Sequence, residues 1–343
     1  MTSEKVTSLQ VAKQAGVSQS AVSRVFTPGA SASKKTVERV RKAANDLGYR
    51  PNVLARAMVS GKSRMIGLVV AYLDNLFYPD ALERLSNELK EKGYHVLIFM
   101  ASQTSGNVDE VLQEIMDYQV DGIVLASVAM SSDLAKDCQR AGVPVVLFNR
   151  SQDDDRLSSV GSDNVSGGRK IADFLIAGGH KKIAHIAGWE GASTQRDRET
   201  GFLSGLNSAR VKLFSRDVGN FEIEQAREAA RRMFDRNDHP DAVFVANDHM
   251  AIGVMDVLRI ELGLRVPNDV SVIGYDDVSA ASWSGYSLTT VRQPAKQLVK
   301  ETVSILIDQI EHKASNPRRI AIDGPLIVRG SSKIPEGWKN ERF

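Results

Sequence analysis

Cysteine is almost absent: Cys138 is the single one in 343 residues. That excludes a disulfide framework and any multi-cysteine metal site, and it fits a reducing compartment. No apolar run approaches the roughly 18–20 residues that a membrane helix needs. The opening Met1-Thr2-Ser3-Glu4-Lys5-Val6-Thr7 lacks the apolar core of a secretion signal, so the expected location is the cytoplasm. Signals of catalysis are missing as well. His180, His185, His239 and His249 show no metal-ligand spacing and read as surface or capping residues. The glycines at Gly161, Gly167 and Gly168 lack the spacing that cradles a pyrophosphate, and Gly61-Lys62-Ser63 lacks the upstream glycine of a phosphate-binding loop. Asp153-Asp154-Asp155 reads as a solvated loop. Cys138, in an apparent helix over Ser132–Arg140 with no histidine partner, reads as a small buried residue. No metal, cofactor or enzymatic activity is expected.

What is present is ordinary in bulk and uneven in detail. With 42% hydrophobic and 25% charged residues the chain is neither disordered nor fibrous, and its length suits two or three domains. The net charge of +2 is an average over unlike parts. Residues 1–60 carry ten basic and three acidic side chains, a net of +7, which leaves the remainder at −5. A basic head on a mildly acidic body points to a polyanionic partner for the head.

Residues 7–50 read as three short helices. Leu9, Val11, Ala12 and Ala15 form an apolar stripe, Gly16 permits a tight turn, and Ser18 is placed to cap a second helix that turns Val22 and Val25 inward. Pro28-Gly29 ends that helix. Ser33 can cap a third, from about Lys34 to Leu47, whose face carries Val37, Val40, Ala44 and Leu47; Gly48 and Pro51 stop it. Small residue, glycine turn and branched apolar residues in this order describe a helix-turn-helix. Such a unit sets the start of its second helix against base edges, here Gln19 and Ser20 with Arg24 one turn on. Glutamine pairs bidentately with adenine and arginine with guanine. Thr7, Ser18, Ser23, Ser33, Lys34 and Lys35 are placed to contact phosphates, which positions the head without reading sequence.

The words Val-Ala-Lys-Gln-Ala-Gly-Val-Ser, Val-Ser-Arg-Val-Phe and Leu-Gly-Tyr-Arg-Pro-Asn-Val-Leu-Ala-Arg between Val6 and Arg56 resemble the headpiece of the lactose-repressor (LacI/GalR) family of bacterial transcription regulators. The resemblance implies a hinge helix over Asn52–Val59 that enters the minor groove, with Asn52, Ala55, Arg56 and Met58 facing DNA. Met58 stands where the family usually carries a leucine wedge, and methionine is among the side chains that open a base step. Ser8 departs from the family too, which usually has an aliphatic residue there.

Beyond the polar connector Gly61-Lys62-Ser63-Arg64, short branched runs alternate with amphipathic stretches: Met65–Tyr72, His95–Met100, Gly122–Ala126, Pro144–Phe148, Lys182–Ala187, Ala242–Ala246 and Val270–Ile273. Such strands belong to parallel sheets covered on both faces, and seven units are too many for one core. Two doubly wound lobes are expected, with chain crossings near Ser162–Gly168, Val291–Pro294 and Asp323–Pro325 and a helix Ala295–Glu311 returning to the first lobe. The fold class is therefore α/β, an all-α helix-turn-helix head followed by a two-lobed body. The expected boundaries are 1–51 for the head, 52–63 for hinge and linker, and 64–343 for the body, with lobes of about 64–161 plus 294–323 and 162–291 plus 325–335.

This plan resembles the periplasmic sugar-binding proteins and the effector domain of the same repressor family over roughly residues 6–335. The motifs are Arg198-x-x-Gly201-Phe202, Ala246-Asn247-Asp248-His249-Met250-Ala251-x-Gly253, Gly274-Tyr275-Asp276-Asp277 and Leu288-Thr289-Thr290-Val291. Ligands of open α/β sheets sit outside the carboxyl ends of the strands, where aromatic, amide, carboxylate and guanidinium groups suited to a polyol occur. By family position Arg198, Asn247 and Asp276 are the principal ligand contacts, with Arg150 and Asp163 beside them and Phe77 and Trp189 as stacking rings. Asp248 reads as the N-cap of the following helix, Asp276 also as a turn cap, Arg150 also as an interlobe salt bridge, and Trp189 also as edge packing. Arg150 with Arg198 would equally suit a sugar acid or sugar phosphate.

The resemblance implies a repressor whose operator affinity is set by a small polar ligand. Two further readings stand beside it: a regulator with a protein co-regulator or no small effector, and a soluble sugar-binding protein. The expected partners are double-stranded operator DNA, a carbohydrate-like effector and a second copy of the chain, with no membrane. The final residues from Ile334 to Phe343 lack the heptads of the family's tetramers, hence a homodimer.

Overall fold

The computed structural model describes residues 6–27, 30–50, 62–71, 73–101, 105–154, 156–314 and 316–338. The expected hinge helix with Asn52, Ala55, Arg56 and Met58 lies outside the described residues, as do Pro28-Gly29, Pro51, Tyr72 and Asp155. The chain divides into two compact units, Met1–Ser63 and Arg64–Phe343.

The first unit holds helices α1 (Ser8–Ala15), α2 (Gln19–Phe26) and α3 (Lys34–Leu47). Each begins at a hydroxyl cap. Thr7 and Gln10 form a reciprocal capping box, Ser18 accepts from the Ala21 amide, and Ser33 accepts from the Thr36 amide. Gly16 closes α1 at φ +60°, a left-handed conformation that a side chain would strain. The core is Val11, Ala12, Ala15, Val22, Val40, Ala43 and Ala44. Leu9 does not join it, contrary to the sequence expectation, and is 64% exposed. It precedes Val11 by two positions, which at roughly 100° per residue turns it to the opposite face of α1.

The second unit contains two six-stranded sheets. The first runs β11-β5-β4-β3-β1-β2 and the second β12-β10-β9-β8-β6-β7. In chain order the elements are β1 (Met65–Val70), α4 (Phe77–Glu91), β2 (His95–Met100), α5 (Ser105–Asp117), β3 (Gly122–Ala126), α6 (Ser132–Arg140), β4 (Val145–Phe148) and β5 (Ser158–Ser162). Then come α7 (Asn164–Ala177), β6 (Ile183–Ala187), α8 (Ser193–Ser208), β7 (Ser215–Val218), α9 (Ile223–Phe234), β8 (Ala242–Val245), α10 (Asp248–Asp256) and β9 (Ser271–Asp276). The unit ends with β10 (Thr289–Arg292), α11 (Ala295–Glu311), β11 (Arg319–Ile322) and β12 (Leu326–Ile327). All pairings are parallel except β10 with β12. The chain passes between the sheets after β5, after β10 and after β11.

Strands β5, β7, β10, β11 and β12 were not among the seven apolar runs, and their composition explains it. β5 is Ser158-Ser159-Val160-Gly161-Ser162, whose buried Ser158 hydroxyl accepts from Arg318 N and Gln309 Nε2. β7, β11 and β12 lie at sheet edges, where one side of the strand is unpaired and polar residues are tolerated. Helices α7 and α8 pack backbone to backbone: a Cβ on Gly168 would strike Arg198 O, and one on Gly201 would strike Val165 O. That close approach delivers the first turns of both helices to the same place.

Candidate nucleic-acid interface and ligand cleft

On the head, Thr7, Ser18, Gln19, Ser20, Ser23, Arg24, Ser33, Lys34 and Lys35 are all exposed. Buried Val22, on the same helix as Gln19 and Arg24, locks α2 with its polar face outward. Gln19 does not hang free. Its Nε2 donates to Ser8 Oγ at 2.9 Å, so a hydroxyl on α1 orients the amide on α2. Ser18 and Ser20 share a hydroxyl hydrogen bond, and Arg24 Nε reaches Ser20 O at 3.4 Å. Ser8 was visible in the sequence only as a departure from the family. Its role needed the contact.

The cleft is built where strands end. Ser127 after β3, Asn149 after β4, Asp276 at the end of β9 and Asp277 beyond it have φ of +63°, +58°, +119° and +56°. Left-handed backbone at non-glycine residues costs of order 1–3 kcal/mol each and gathers at functional sites. At the centre Arg198 and Asp276 pair at 3.1 Å with side chains only 3% and 2% exposed. The Arg198 guanidinium also donates to Asn164 Oδ1 at 2.9 Å and Ala246 O at 2.6 Å, and lies 3.7 Å over the Tyr275 ring. Asp276 collects two more donors, Gln293 Nε2 at 2.7 Å and Asn75 Nδ2 at 3.3 Å. Asn75 Oδ1 accepts from Phe77 N, which aims its NH2 at the carboxylate. Burial pushes the Asp276 carboxyl up from its ordinary value, while Arg198 and the two amides pull it down. Asn75 belongs to the first lobe, Arg198 and Asp276 to the second, and Gln293 to the crossing between them.

The other expected ligand residues are placed as follows. Asn247 is buried and its Oδ1 caps α10 by accepting from Met250 N. Asp163 caps α7 through Ser166 N, next to the Asn164 that holds Arg198. Buried Arg150 sets its guanidinium 5.3 Å from the Trp189 ring, a contact between the lobes. Trp189 is half-buried and Phe77 is buried, with its ring 6.3 Å from that of Phe148. Asn149 Oδ1 is buried with no hydrogen-bond partner, beside the linked hydroxyls of Tyr78 and Ser127. It is an acceptor suited to a ligand hydroxyl.

Two expectations are corrected. Asp248 is not the N-cap of α10, because Asn247 is. Fully buried, it accepts from Thr290 Oγ1 at 2.6 Å and Val278 N at 3.0 Å, and burial raises its carboxyl well above the usual range. The histidines are not all at the surface either. His185 lies wholly inside β6, stacked on Phe244, and burial lowers it to about 4; His180 is buried against Asp241. Sequence reasoning gave Asn164, Gln293 and Gln195 no role; each is an amide whose importance depends on the partner the fold brings to it. Among the described residues no group of three His, Cys, Asp or Glu could hold a metal, and no helix is long and apolar enough to cross a membrane. Cys138 is buried against Met116, which raises its thiol to about 11.

Residues 9–52 match the model of bacterial regulatory proteins of the lacI family, and residues 172–332 that of the periplasmic binding protein-like domain. The chain is 31% identical to the HTH-type transcriptional repressor PurR of Vibrio vulnificus over 330 residues, covering 94% of this chain and 97% of that one. In structure it resembles a transcriptional regulator CelR–cellobiose complex (TM-score 0.72, 30% identity, 95% and 100% covered). It also resembles the lac repressor dimer bound to operator and the anti-inducer ONPF (TM-score 0.85, 26% identity, 96% and 99% covered).

Proposed function

The chain belongs to the lacI family of bacterial regulatory proteins, and on that premise we propose that it represses transcription from an operator under control of a neutral saccharide held between its lobes. The observation that carries the ligand class is the buried Arg198–Asp276 pair. The charge of Arg198 is already matched and three of its five N–H groups are engaged, so the pair suits hydrogen bonds to adjacent hydroxyls rather than an uncompensated cation facing a carboxylate. The orphaned Asn149 acceptor and the half-buried Trp189 ring suit the same occupant. A second reading, a sugar acid or sugar phosphate, is favoured by one observation, the buried guanidinium of Arg150 at the cleft.

Asp276 draws on both lobes, so an occupant that rearranges its hydrogen bonds changes the free energy of lobe closure. Coupling of this kind runs at roughly 1–3 kcal/mol and is reciprocal between ligand and operator. On the head, Gln19 and Arg24 read base edges and the surrounding hydroxyls and lysines hold phosphates. A second copy has exposed apolar side chains to pack on, among them Ile98 and Met100 of the edge strand β2. Two-fold pairing doubles the few base contacts of one head. The printed name of the relative, a transcriptional repressor, supports a role without catalysis, and a need to reach operator DNA supports a cytoplasmic location.

The test is thermal shift with cellobiose, glucose, gluconate and glucose 6-phosphate, paired with operator binding by Gln19→Ala. A hundredfold excess of a true ligand over its Kd stabilises by about 2.7 kcal/mol. Shifts with the neutral sugars support the proposal, whereas shifts only with the two anions replace it by the second reading, and a silent screen rejects both. Gln19→Ala should relax preference at one base pair; a uniform loss on every sequence would remove its reading role.

A further inference from the structure

Trp189 sits between two anchors that belong to one hydrogen-bond network, buried at Gln195 and open to solvent at Glu190 and Arg216. On its N-terminal side Gly188 N donates to Gln195 Oε1 at 2.6 Å. On its C-terminal side Glu190 pairs with Arg216 at 2.8 Å. Arg216 also holds Glu199 at 2.6 Å, and Glu199 accepts from Gln195 Nε2 at 2.9 Å. The chain of bonds thus leaves the backbone before the indole, passes through Gln195, Glu199 and Arg216, and returns to the side chain after it.

His185 sets the sense of the Gln195 amide. Its Nδ1–H donates to Phe244 O at 2.9 Å, which leaves Nε2 as an acceptor facing Gln195 Nε2 at 3.2 Å. The amide nitrogen therefore points at His185 and Glu199, and the oxygen is left for Gly188. Burial keeps His185 neutral, so this arrangement holds at physiological pH. Space is restricted as well: a Cβ at Gly188 would meet the Phe221 ring, and one at Gly191 would meet the indole itself.

We propose that Gln195 is a positioning residue for effector recognition, holding Trp189 as a rigid aromatic face against Arg150 of the opposite lobe. The recognition half rests on the cleft binding an effector, and the positioning half does not. A face ordered before the ligand arrives spares the ligand the entropy of ordering it, which is how a residue that touches no ligand raises affinity.

The sequence has three tryptophans, so W283F/W338F full-length protein reports on Trp189 alone and W189F/W283F protein on Trp338 alone. Gln195→Met keeps the volume and removes all three hydrogen bonds of the amide. Acrylamide quenching of Trp189 should rise at least twofold in Q195M while Trp338, packed on Phe174, stays at its parental value. Glu190→Gln, at an exposed position that will not unfold the protein, should give a smaller rise at Trp189 only. Unchanged Trp189 quenching in folded Q195M, or equal rises at both reporters, overturns the positioning role. Binding is then titrated with cellobiose, glucose, gluconate and glucose 6-phosphate. A probe that binds the parent should bind Q195M at least tenfold more weakly, and a loosened Trp189 with parental affinity overturns the recognition half. A parent that binds none of the four counts against the saccharide reading and with it the recognition half, while the quenching comparison still decides positioning.

Discussion

Asp276→Asn tests the centre of the cleft with one oxygen changed to nitrogen. Arg198 and Asp276 are almost wholly buried, and the other groups that Arg198 reaches, Asn164 Oδ1 and Ala246 O, are neutral. Removing one partner of a buried pair leaves an uncompensated charge and costs about 3–5 kcal/mol. Asparagine retains one oxygen for Arg198 and Gln293, which favours the lower end. Its new NH2 faces the Asn75 NH2 that donates to Asp276 Oδ2 at 3.3 Å, and two opposed donors oppose that relief. We expect a loss of about 3–4 kcal/mol, on the order of 10 °C in Tm for a unit of this size. The assay is urea unfolding of D276N, R198M and the double variant. Because the double variant removes both charges, it should be less destabilised than the sum of the singles by at least ~2 kcal/mol. Operator binding should survive in D276N while its response to ligand is lost. A cost below ~1 kcal/mol with additive singles would show that Arg198 does not depend on Asp276, and the account of the cleft would fail.

Gly201→Ala should destabilise by about 2–3 kcal/mol in urea, since its methyl group meets the Val165 carbonyl and α7 and α8 must separate; a neutral result would mean that the helices do not pack this closely. Stability should also fall as pH drops from about 6.5 to about 4. His185 titrates at about 4 when folded and at roughly 6.5 when unfolded, so the unfolded chain binds more protons across that window. The loss reaches at most about 3 kcal/mol, and His185→Gln should flatten the slope measured by urea midpoints at successive pH values. An identical slope in that variant would relieve His185 of the role.

The sequence was most informative where local chemistry suffices. Ser18 and Ser33 cap the second and third head helices, and Gly16 takes the positive φ of a tight turn. The apolar runs at Met65–Val70, Gly122–Ala126 and Ile183–Ala187 are central strands because sheets covered on both faces need continuous apolar residues. The serine-rich β5 escaped that pattern, because its buried Ser158 hydroxyl is satisfied by a backbone amide and a glutamine roughly 150 residues away. Asn247 and Asp276 stood out at strand ends and by family resemblance, Arg198 by the resemblance alone, and no spacing along the chain shows that Arg198 and Asp276 pair. Leu9 and Asp248 went astray for related reasons: a periodic pattern leaves the buried face open at a helix end, and a carboxylate beside a cap residue looks like the cap.

By itself, then, the sequence determined the basic head with its three helices and the positions of the central strands along the chain. Those properties reside in neighbours a few residues apart, where capping, turn conformation and periodicity act. Only the tertiary structure decided that Asn75 donates to Asp276, 201 positions away, that Ser8 holds Gln19, and that Gln195 closes a network around Trp189. A buried amide or carboxylate takes its meaning from whatever satisfies its hydrogen bonds, and in a two-lobed fold that partner is brought in by the sheet crossings rather than by the adjoining chain.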